Sequence, residues 1–420
     1  MMTDLAPGPT SRTVVIGAGV IGISIALELQ RRGREVLVLD RSGVAAETSG
    51  GNAGGFAFSV VIPLATPGIM RKAPKWLIDP LGPLSIPPAY ALQIAPWMLR
   101  FWRASRADRY AAAVQAQADL MAHCQAALER QIQTAQAEPL VRREGQLEVY
   151  EGARRFEASL PAWNVTRQHG VPFEMLTSAD ALADVQPGLS SAFTHGVYTP
   201  SWMNTVDPKL WTRHLANCFL SGGGQIAQVE VQALQPEDAH VTVVTADGSI
   251  TTPDVVVAAG AWSHQLALGL GDRIPLETER GYNTTFTSCP IELRTQVTFG
   301  DHGFVVTRLG QGLRVGGAVE LGGLTLPPRF GRADALLAKA AKFMPGLPTT
   351  GGTQWMGHRP SLPDSLPVIG RAPKAQRVIY AFGHGHLGLT QSAGTAELVA
   401  SLVTGEAPAL SLAAFSPSRF

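Results

Sequence analysis

The chain has 420 residues, 45% of them hydrophobic, and its 34 basic and 33 acidic side chains leave a formal net charge of +1. A chain of this length and composition can bury one large core or two ordinary ones, so we expect two intertwined domains. Its balanced charge provides no general attraction to nucleic acid. The spacing of Cys124, Cys218 and Cys289 predicts no disulfide framework and no metal site, and it fits the reducing cytoplasm.

Residues 13–27 predict a buried strand that turns into a helix through Gly17, Gly19 and Gly22. Such a turn lets the backbone contact a pyrophosphate and directs a helix N-terminus at its charge. A second predicted strand ends at Asp40, where a carboxylate would accept hydrogen bonds from ribose hydroxyls. A glycine turn without a ligand is the alternative, but the charge-free strand and the amphipathic helix on either side favour a dinucleotide site.

The next two segments are less regular. Residues 41–55 are small and polar with several glycines, which suits either close approach to a ligand or a flexible loop. Residues 63–106 are dense in proline, aromatic and basic side chains. They fit an irregular segment packed over a core or an amphipathic surface at a membrane, and we favour the first because helical periodicity is poor before Ala89. Five glycines and two prolines exclude a membrane-spanning helix at 48–70.

The rest of the chain alternates between predicted helices and strands. Its main predicted elements are a long helix at 106–137 with a solvated glutamine-rich face, mixed short elements at 140–200, a helix from Asp207-Pro208 to Leu220, strands at 229–262, strands at 274–318, a helix at 331–344, a strand at 378–382 and a helix from 388 to about 405.

The combination of strand, glycine turn and helix N-terminus at 17–22 recurs near Gly260 and again at 383–390. A dinucleotide contacted by segments so far apart must be long or deeply enclosed, which favours FAD over NAD. A helix that starts at Gly388 would bring its positive end to the flavin N1–C2=O edge, where charge accumulates on reduction.

We therefore expect an α/β fold in which a Rossmann-like FAD-binding domain is intertwined with an α+β substrate domain built on an antiparallel sheet. The predicted boundaries are 12–62, 201–272 and 351–420 for the FAD-binding domain, and 63–200 and 273–350 for the substrate or cap domain.

A set of motifs spans nearly the whole chain, at 15–22, 47–54, 65–68, 281–282, 307–310, 313–320, 357–360, 363–364, 367–370 and 383–388. These motifs resemble those of the FAD-dependent D-amino-acid oxidase superfamily (the DAO family), most of all those of bacterial D-amino-acid dehydrogenases. The resemblance implies oxidative deamination of D-amino acids to 2-oxo acids and ammonia, by hydride transfer from Cα to flavin N5. Electrons would pass to a quinone or another acceptor.

The resemblance also implies that FAD is held non-covalently, because related sarcosine oxidases use a cysteine near the arginine-proline motif and no cysteine follows Cys289 here. It places Val231 against the adenine and residues 52–55 beside the isoalloxazine. The predicted cofactor-binding residues are Gly17, Gly19, Val20, Ile21, Gly22, Asp40, Arg41, Thr48, Ser49, Asn52, Ala53, Gly54, Gly55, Val231, Ala259, Gly260, Arg359, Gly383, His384, Gly385, His386, Leu387, Gly388 and Thr390.

Four residues are candidates for the substrate site. An α-carboxylate needs a planar partner with two donors, and Arg308 matches the carboxylate-binding arginine of similar glycine oxidases and D-amino-acid dehydrogenases; a salt-bridged surface arginine is the alternative. Arg359 could serve the pocket or brace the arginine-proline turn. Tyr282 could donate to the carboxylate, close the pocket or pack in the core. His384 could meet the flavin edge or fill its loop, and no proton-transfer role is assigned to it.

Other functions fit the same residues. The sibling specificities are D-proline or cis-4-hydroxy-D-proline dehydrogenase and a glycine- or sarcosine-type oxidase, and the alternative of another class is a non-catalytic flavin-binding subunit. If a membrane quinone takes the electrons, residues 71–103 are the candidate for contact at the inner face of the cytoplasmic membrane. The sequence predicts no oligomeric state.

Overall fold

The structure is a computed structural model that describes residues 8–71, 82 and 84–420. The helices there are α1 Val20–Arg31, α2 Ala91–Ala104, α3 Ala107–Thr134, α4 Ala153–Gln168, α5 Ala179–Val185, α6 Pro208–Ser221, α7 Ser263–Gly269, α8 Gly331–Phe343 and α9 Gly388–Thr404. The strands are β1 Gly8–Pro9, β2 Thr13–Ile16, β3 Val36–Asp40, β4 Gly55–Phe56, β5 Leu84–Ser85, β6 Val141–Arg142, β7 Gln146–Tyr150, β8 Glu174–Leu176, β9 His195–Thr199, β10 Met203–Thr205, β11 Gln225–Gln228, β12 Val231–Pro236, β13 Val241–Thr245, β14 Gly248–Thr252, β15 Val255–Val257, β16 Glu277–Phe286, β17 Gln296–Phe299, β18 Phe304–Leu309, β19 Gly312–Leu321, β20 Thr353–Ser361, β21 Val368–Ala372 and β22 Ala375–Phe382.

A six-stranded sheet in the order β11-β3-β2-β15-β22-β21 forms the first core. Its strands run parallel except for β21, which is antiparallel at the edge. The strands β2 and β15 are buried along their whole length and almost wholly apolar, as expected for a parallel sheet covered on both faces. Side chains of α1, α3, α6 and α9 pack on one face, and those of α7 and the β12–β14 hairpins pack on the other.

A nine-stranded sheet forms the second unit, with the path β20-β16-β19-β18-β17-β7-β9-β8 and with β5 beside β19. Most neighbours are antiparallel, as predicted, but β17 pairs in parallel with β7, and β5 pairs in parallel with β19. Helix α8 covers one face, where the rings of Phe193 and Phe343 meet edge to face. The predicted α/β fold with a largely antiparallel second sheet is confirmed.

The strand β20 (Thr353–Ser361) pairs with β16 from Thr353 to Ser361 and so belongs to the nine-stranded sheet. The predicted boundary at 351 assigned this strand to the FAD-binding domain, and the sheet topology instead puts it with the substrate-side sheet. The other boundaries stay predictions.

Helix α3 (Ala107–Thr134) confirms the long helix predicted at 106–137, but the expectation that its glutamines are solvated was wrong for two of them. Gln117 and Gln131 are buried. The Gln117 amide donates to the Val60 carbonyl at 3.1 Å. Both glutamines are buried because they lie on the face of α3 that packs against α9.

Part of the aromatic and basic segment, residues 72–81 and 83, lies outside the described residues. From Ala91 the chain forms α2, which buries Ile94 and Trp97 against Leu321. For the buried face of α2, this packing agrees with the favoured interpretation of a segment packed over a core. In the described ranges, no helix combines the length and the apolar character needed to cross a bilayer.

Candidate functional site

A cleft lies at the carboxyl ends of β2, β3, β15 and β22. Each of these strands is followed by a loop that contributes to the cleft wall, so the three glycine turns identified in the sequence meet at one place. Ligands of open parallel sheets bind at this end of the strands. The cleft is therefore the candidate cofactor site.

The first turn requires glycine. Gly17 has φ +112, and a Cβ there would overlap the Ala258 carbonyl, while a Cβ at Gly22 would overlap the Gly17 carbonyl. Helix α1 begins after Gly19 without a side-chain cap of its own, and the Val20 N–H donates to Ser49 Oγ at 3.0 Å. The first turn of α1 thus faces the cleft with little side-chain cover, which suits a pyrophosphate.

Asp40 lines the cleft and also ties its loops together. Its carboxylate accepts from the backbone N–H groups of Ala18 at 2.7 Å, Ser42 at 2.8 Å and Gly43 at 2.7 Å. A carboxylate has about four acceptor positions, so capacity for a ribose hydroxyl remains. The turn-bracing contact with Ala18 was not predicted from the sequence.

Trp262 and Arg41 also line the cleft. The Arg41 guanidinium lies 3.9 Å from the centre of the Trp262 ring, in a cation–π contact. Val231 lies in the same wall. These groups offer an apolar and aromatic surface for a flat heterocycle, which agrees with the predicted adenine contact of Val231.

The loop that follows β3 is fastened to the nine-stranded sheet. Thr48 Oγ1 donates to the His358 carbonyl at 2.7 Å, and the Asn283 amide donates to the Gly51 carbonyl at 2.9 Å. Arg314 donates to the Asn52 carbonyl, and the Asn52 side chain accepts from the Gly54 N–H at 2.7 Å. This loop, predicted to lie beside the isoalloxazine, is consequently held in one shape.

Arg314 was not among the predicted site residues. It is buried, its Nε donates to Thr285 Oγ1 at 2.8 Å, and burial lowers its pKa to about 10, against an opposing effect of Asp207. In the sequence it is one arginine on an alternating strand, and its partner Asn52 is distant along the chain. No sequence signal identified it.

His384 is buried at the start of the third glycine turn. Its Nε2 lies 3.0 Å from Thr395 Oγ1 on α9, and burial lowers its pKa to about 3, so the imidazole is neutral at neutral pH. The hydrogen bond to α9 agrees with the interpretation in which His384 fills its loop. Gly383 and Gly385 beside it have φ +87 and +54.

Most of the predicted cofactor residues line the cleft. These are Gly17, Gly19, Val20, Ile21, Asp40, Arg41, Thr48, Ser49, Asn52, Val231, Ala259, Gly260, His384, Gly385 and Gly388. The cleft wall does not include Gly22, Ala53, Gly54, Gly55, Arg359, Gly383, His386, Leu387 or Thr390. Gly383, His386 and Leu387 instead line a smaller adjoining cavity, and Thr390 braces the loop, accepting from the Ala57 N–H at 2.9 Å.

Further lining residues were missed. They are Ile16, Leu39, Glu47, Val229, Glu230, Gln232, Ala258, Trp262, Gln265, Leu266, Pro360, Ala381, Phe382 and Leu389. Most are sequence neighbours of predicted residues, and many are apolar, with no chemical signal of their own. The cofactor roles of the predicted set stay predictions.

Arg359 lies on the nine-stranded sheet above Gly281, where a Cβ would overlap its guanidinium. Its Nη1 donates to the Ala318 carbonyl at 3.1 Å, and Ala318 has the unusual φ of +56. Glu279 faces it on the neighbouring strand and lines the smaller cavity; burial raises the pKa of this carboxyl, against the opposing charge of Arg359. These contacts hold Arg359 within the sheet, and its role in the pocket stays a prediction.

Arg308 on β18 is ion-paired with Glu144 and lies outside the cleft wall. Arg142 donates to the carbonyls of Arg308 at 3.3 Å and Gly310 at 2.9 Å, which fixes the backbone beneath it. The Arg308 Nε is buried without a hydrogen-bond partner among the described residues. The structure therefore has the salt-bridged arginine that was the alternative.

Tyr282 is buried, and its hydroxyl is engaged within the protein. It donates to Glu320 at 3.0 Å and accepts from the Arg329 N–H at 3.0 Å. Glu320 also accepts from Arg280 at 3.2 Å. This geometry favours the core-packing interpretation of Tyr282 over donation to a substrate carboxylate.

Comparison with known proteins identifies the family. The family model for FAD dependent oxidoreductase (DAO) matches residues 12–402. The chain belongs to the FAD-dependent oxidoreductases. Within this family, a D-amino-acid oxidase of Bradyrhizobium diazoefficiens is 36% identical, with 98% of this chain and 100% of the relative covered. A D-amino acid dehydrogenase of Rhizobium rhizogenes is 31% identical, with 97% of this chain and 100% of the relative covered.

Solved structures share the fold of this FAD-dependent oxidoreductase. Glycine oxidase from Geobacillus kaustophilus superposes with a TM-score of 0.78 at 21% identity, covering 98% of this chain and 100% of the other. L-proline dehydrogenase from P. horikoshii superposes with a TM-score of 0.76 at 20% identity, covering 99% of this chain and 98% of the other.

The residues present fit FAD. The glycine turn leaves no room for side chains between the backbone and a pyrophosphate, α1 points its N-terminus into the cleft, and α9 begins at the cleft wall with Gly388. Loops from three distant parts of the chain enclose the space, as a long dinucleotide requires. The predicted cofactor is confirmed by the family.

Proposed function

We propose that this FAD-dependent oxidoreductase deaminates D-amino acids oxidatively to 2-oxo acids and ammonia. The observation that carries the proposal is the similarity, over nearly the whole chain, to relatives named D-amino-acid oxidase and D-amino acid dehydrogenase. The cleft and its glycine turns support the cofactor half of the reaction, and Arg308 and Arg359 supply cations for a carboxylate.

FAD, when bound, supplies the hydride acceptor for the substrate Cα–H. The protein orients the substrate: Arg308 would exchange Glu144 for the α-carboxylate and bind it through its terminal nitrogens. Arg359 adds positive charge beside the third glycine turn, and the N-terminus of α9 adds its dipole. Neutral His384 keeps its hydrogen bond to Thr395, and we assign it no role in proton transfer.

The substrate could instead be a cyclic or smaller amino acid. D-proline, cis-4-hydroxy-D-proline, glycine and sarcosine are the alternatives. A flavin-binding subunit without catalysis is the candidate of another class, and the cationic residues near the cleft speak against it.

A membrane quinone is our proposal for the electron acceptor, which would place the protein peripherally at the inner face of the cytoplasmic membrane. The relatives differ in this respect by name, one being an oxidase and others dehydrogenases. Hydrogen peroxide yield in air, compared with reduction of a soluble quinone analogue, separates the two acceptors. Stoichiometric peroxide would contradict the quinone proposal and leave the deamination proposal intact.

The test of the reaction is anaerobic mixing of the FAD-loaded protein with D-alanine, D-arginine, D-proline, cis-4-hydroxy-D-proline, glycine, sarcosine and L-alanine. We expect the oxidised flavin absorbance to bleach fastest with a D-amino acid and to remain with L-alanine. Bleaching by glycine or sarcosine alone would assign the sibling specificity. No bleaching with any of these substrates would contradict the proposed deamination and favour the non-catalytic subunit.

A further inference from the structure

Helix α2 exposes a strip of large apolar side chains on the face opposite its buried side. Leu92 is 91% exposed, Leu99 46% and Trp102 50%. Their spacing of seven and three residues brings them to one side of an α-helix. Single exposed apolar residues are ordinary, but three on one helix face form a contiguous patch.

Arginines border this strip. Arg100, Arg103, Arg106 and Arg109 are all exposed, and they outnumber the single acidic residue of positions 91–110, the exposed Asp108. The side chains of Arg100, Arg103 and Arg109 also line a groove between α2, the start of α3 and residues 414–420.

The groove contains one carboxylate side chain, that of Asp364, among its lining residues. Asp364 is ion-paired with Arg419 at 2.7 Å. Because this carboxylate already has a cationic partner, the arginines beside the strip give the surface a net positive charge. A partner for this face must therefore present negative charge and accept apolar side chains at the same time.

We propose that this face of α2, the strip of Leu92, Leu99 and Trp102 with its arginine border, docks onto an anionic phospholipid bilayer. The apolar side chains would enter the boundary between headgroups and acyl chains, while the arginines lie at the level of the lipid phosphates. An anionic bilayer offers both kinds of contact side by side. The helix lies in the plane of the surface and does not cross it.

The docking surface is separate from the cofactor cleft, because none of its residues lines that cleft. Vesicle binding is measured without substrate, so its outcome is independent of the proposed deamination. The docking proposal rests on the proposed peripheral location at the membrane. A protein that turns over D-amino acids without binding vesicles would contradict both of these and leave the deamination proposal intact.

The experiment is co-sedimentation of the FAD-loaded protein with vesicles of phosphatidylcholine, with and without phosphatidylglycerol. We expect binding to the anionic vesicles that weakens as salt is raised. The combined changes Leu92→Ser, Leu99→Ser and Trp102→Ser should lower the partition coefficient at least about tenfold, because the apolar contact is lost. Arg100→Ala with Arg103→Ala should lower it roughly thirtyfold, at about fivefold for each cation.

Matched controls come from other exposed positions. Leu210→Ser with Leu268→Ser removes exposed apolar side chains elsewhere, and Arg154→Ala with Arg213→Ala removes exposed cations elsewhere. Both should bind vesicles like the wild type, and every variant should keep its flavin absorbance. Absence of wild-type binding to anionic vesicles, or equal binding by the triple serine variant, would overturn the proposal.

A second copy of the chain is the competing occupant of this face. Light scattering without lipid distinguishes it: a wild-type dimer that becomes monomeric in the triple serine variant, together with no vesicle binding, would assign the strip to a protein interface and overturn bilayer docking.

Discussion

Replacing Arg308 with methionine tests the proposed carboxylate contact, and Glu144 sets the size of the effect. Truncating one partner of a hydrogen-bonded charge pair in a binding site costs about 2–5 kcal/mol. Binding also breaks the Arg308–Glu144 ion pair, whose side chains are 41% and 24% exposed, so we assign that pair at most about 1 kcal/mol. The net loss of about 1–4 kcal/mol corresponds to a rise in KM between roughly fivefold and a thousandfold.

Glu144→Gln is the partner experiment. It removes the charge that competes with the substrate for Arg308, so KM should fall, by up to roughly fivefold for about 1 kcal/mol. Substrate affinity is read from how the rate of anaerobic flavin bleaching depends on substrate concentration, with the flavin-to-protein ratio as the control for folding. The reasoning is refuted if Arg308→Met leaves KM unchanged, or if Glu144→Gln raises KM as much as Arg308→Met does.

Three further predictions concern the cofactor site. Gly17→Ala should reduce the flavin-to-protein ratio at least about tenfold, because the φ of +112 and the Ala258 carbonyl exclude a Cβ at this position. The control Gly33→Ala, at φ +78 in open space, should keep its flavin. Equal loss of flavin in both variants would contradict the argument that the backbone at Gly17 must come close to its neighbours. Arg314→Met should weaken FAD affinity by roughly tenfold, since the Asn52 carbonyl loses its donor, and unchanged affinity by fluorescence titration would refute a positioning role. His384 has a pKa of about 3 in the folded protein, so below about pH 6.5 it binds a proton in the unfolded chain but not in the fold. Its contribution to the free energy of unfolding should therefore fall by about 1.4 kcal/mol per pH unit from about pH 6.5 towards pH 4. Urea unfolding of His384→Gln should show a smaller fall in that free energy between pH 6 and pH 5 than the wild type does, and an identical fall would count against this assignment.

The parts of this protein that the sequence predicted well depend on local patterns. The strand, glycine turn and helix from residue 13 to 31 follow from charge-free and amphipathic periodicity, and the helix Pro208–Ser221 matches the helix predicted from Asp207-Pro208 to Leu220. The meeting of three glycine turns at one cleft followed from the rule that parallel strands present their carboxyl ends together.

The parts that were missed depend on partners far apart in the chain. Glu144 lies 164 positions from Arg308, and the Tyr282 hydroxyl finds Glu320 through the register of β16 and β19. No local pattern encodes such pairs, because they are fixed by how strands align in the sheet. For the same reason, Arg314 could not be told apart from an ordinary strand arginine.

The strand order of the six-stranded sheet also determines when the cofactor can be bound during synthesis. The strand β15 pairs on one side with β2 and on the other with β22, so the cleft wall needs residues from both the beginning and the end of the chain. A nascent chain that has made the first glycine turn still lacks the third turn and α9. We therefore expect FAD to be retained only after residues 375–404 have been translated, so that a chain truncated before β22 should not load with flavin.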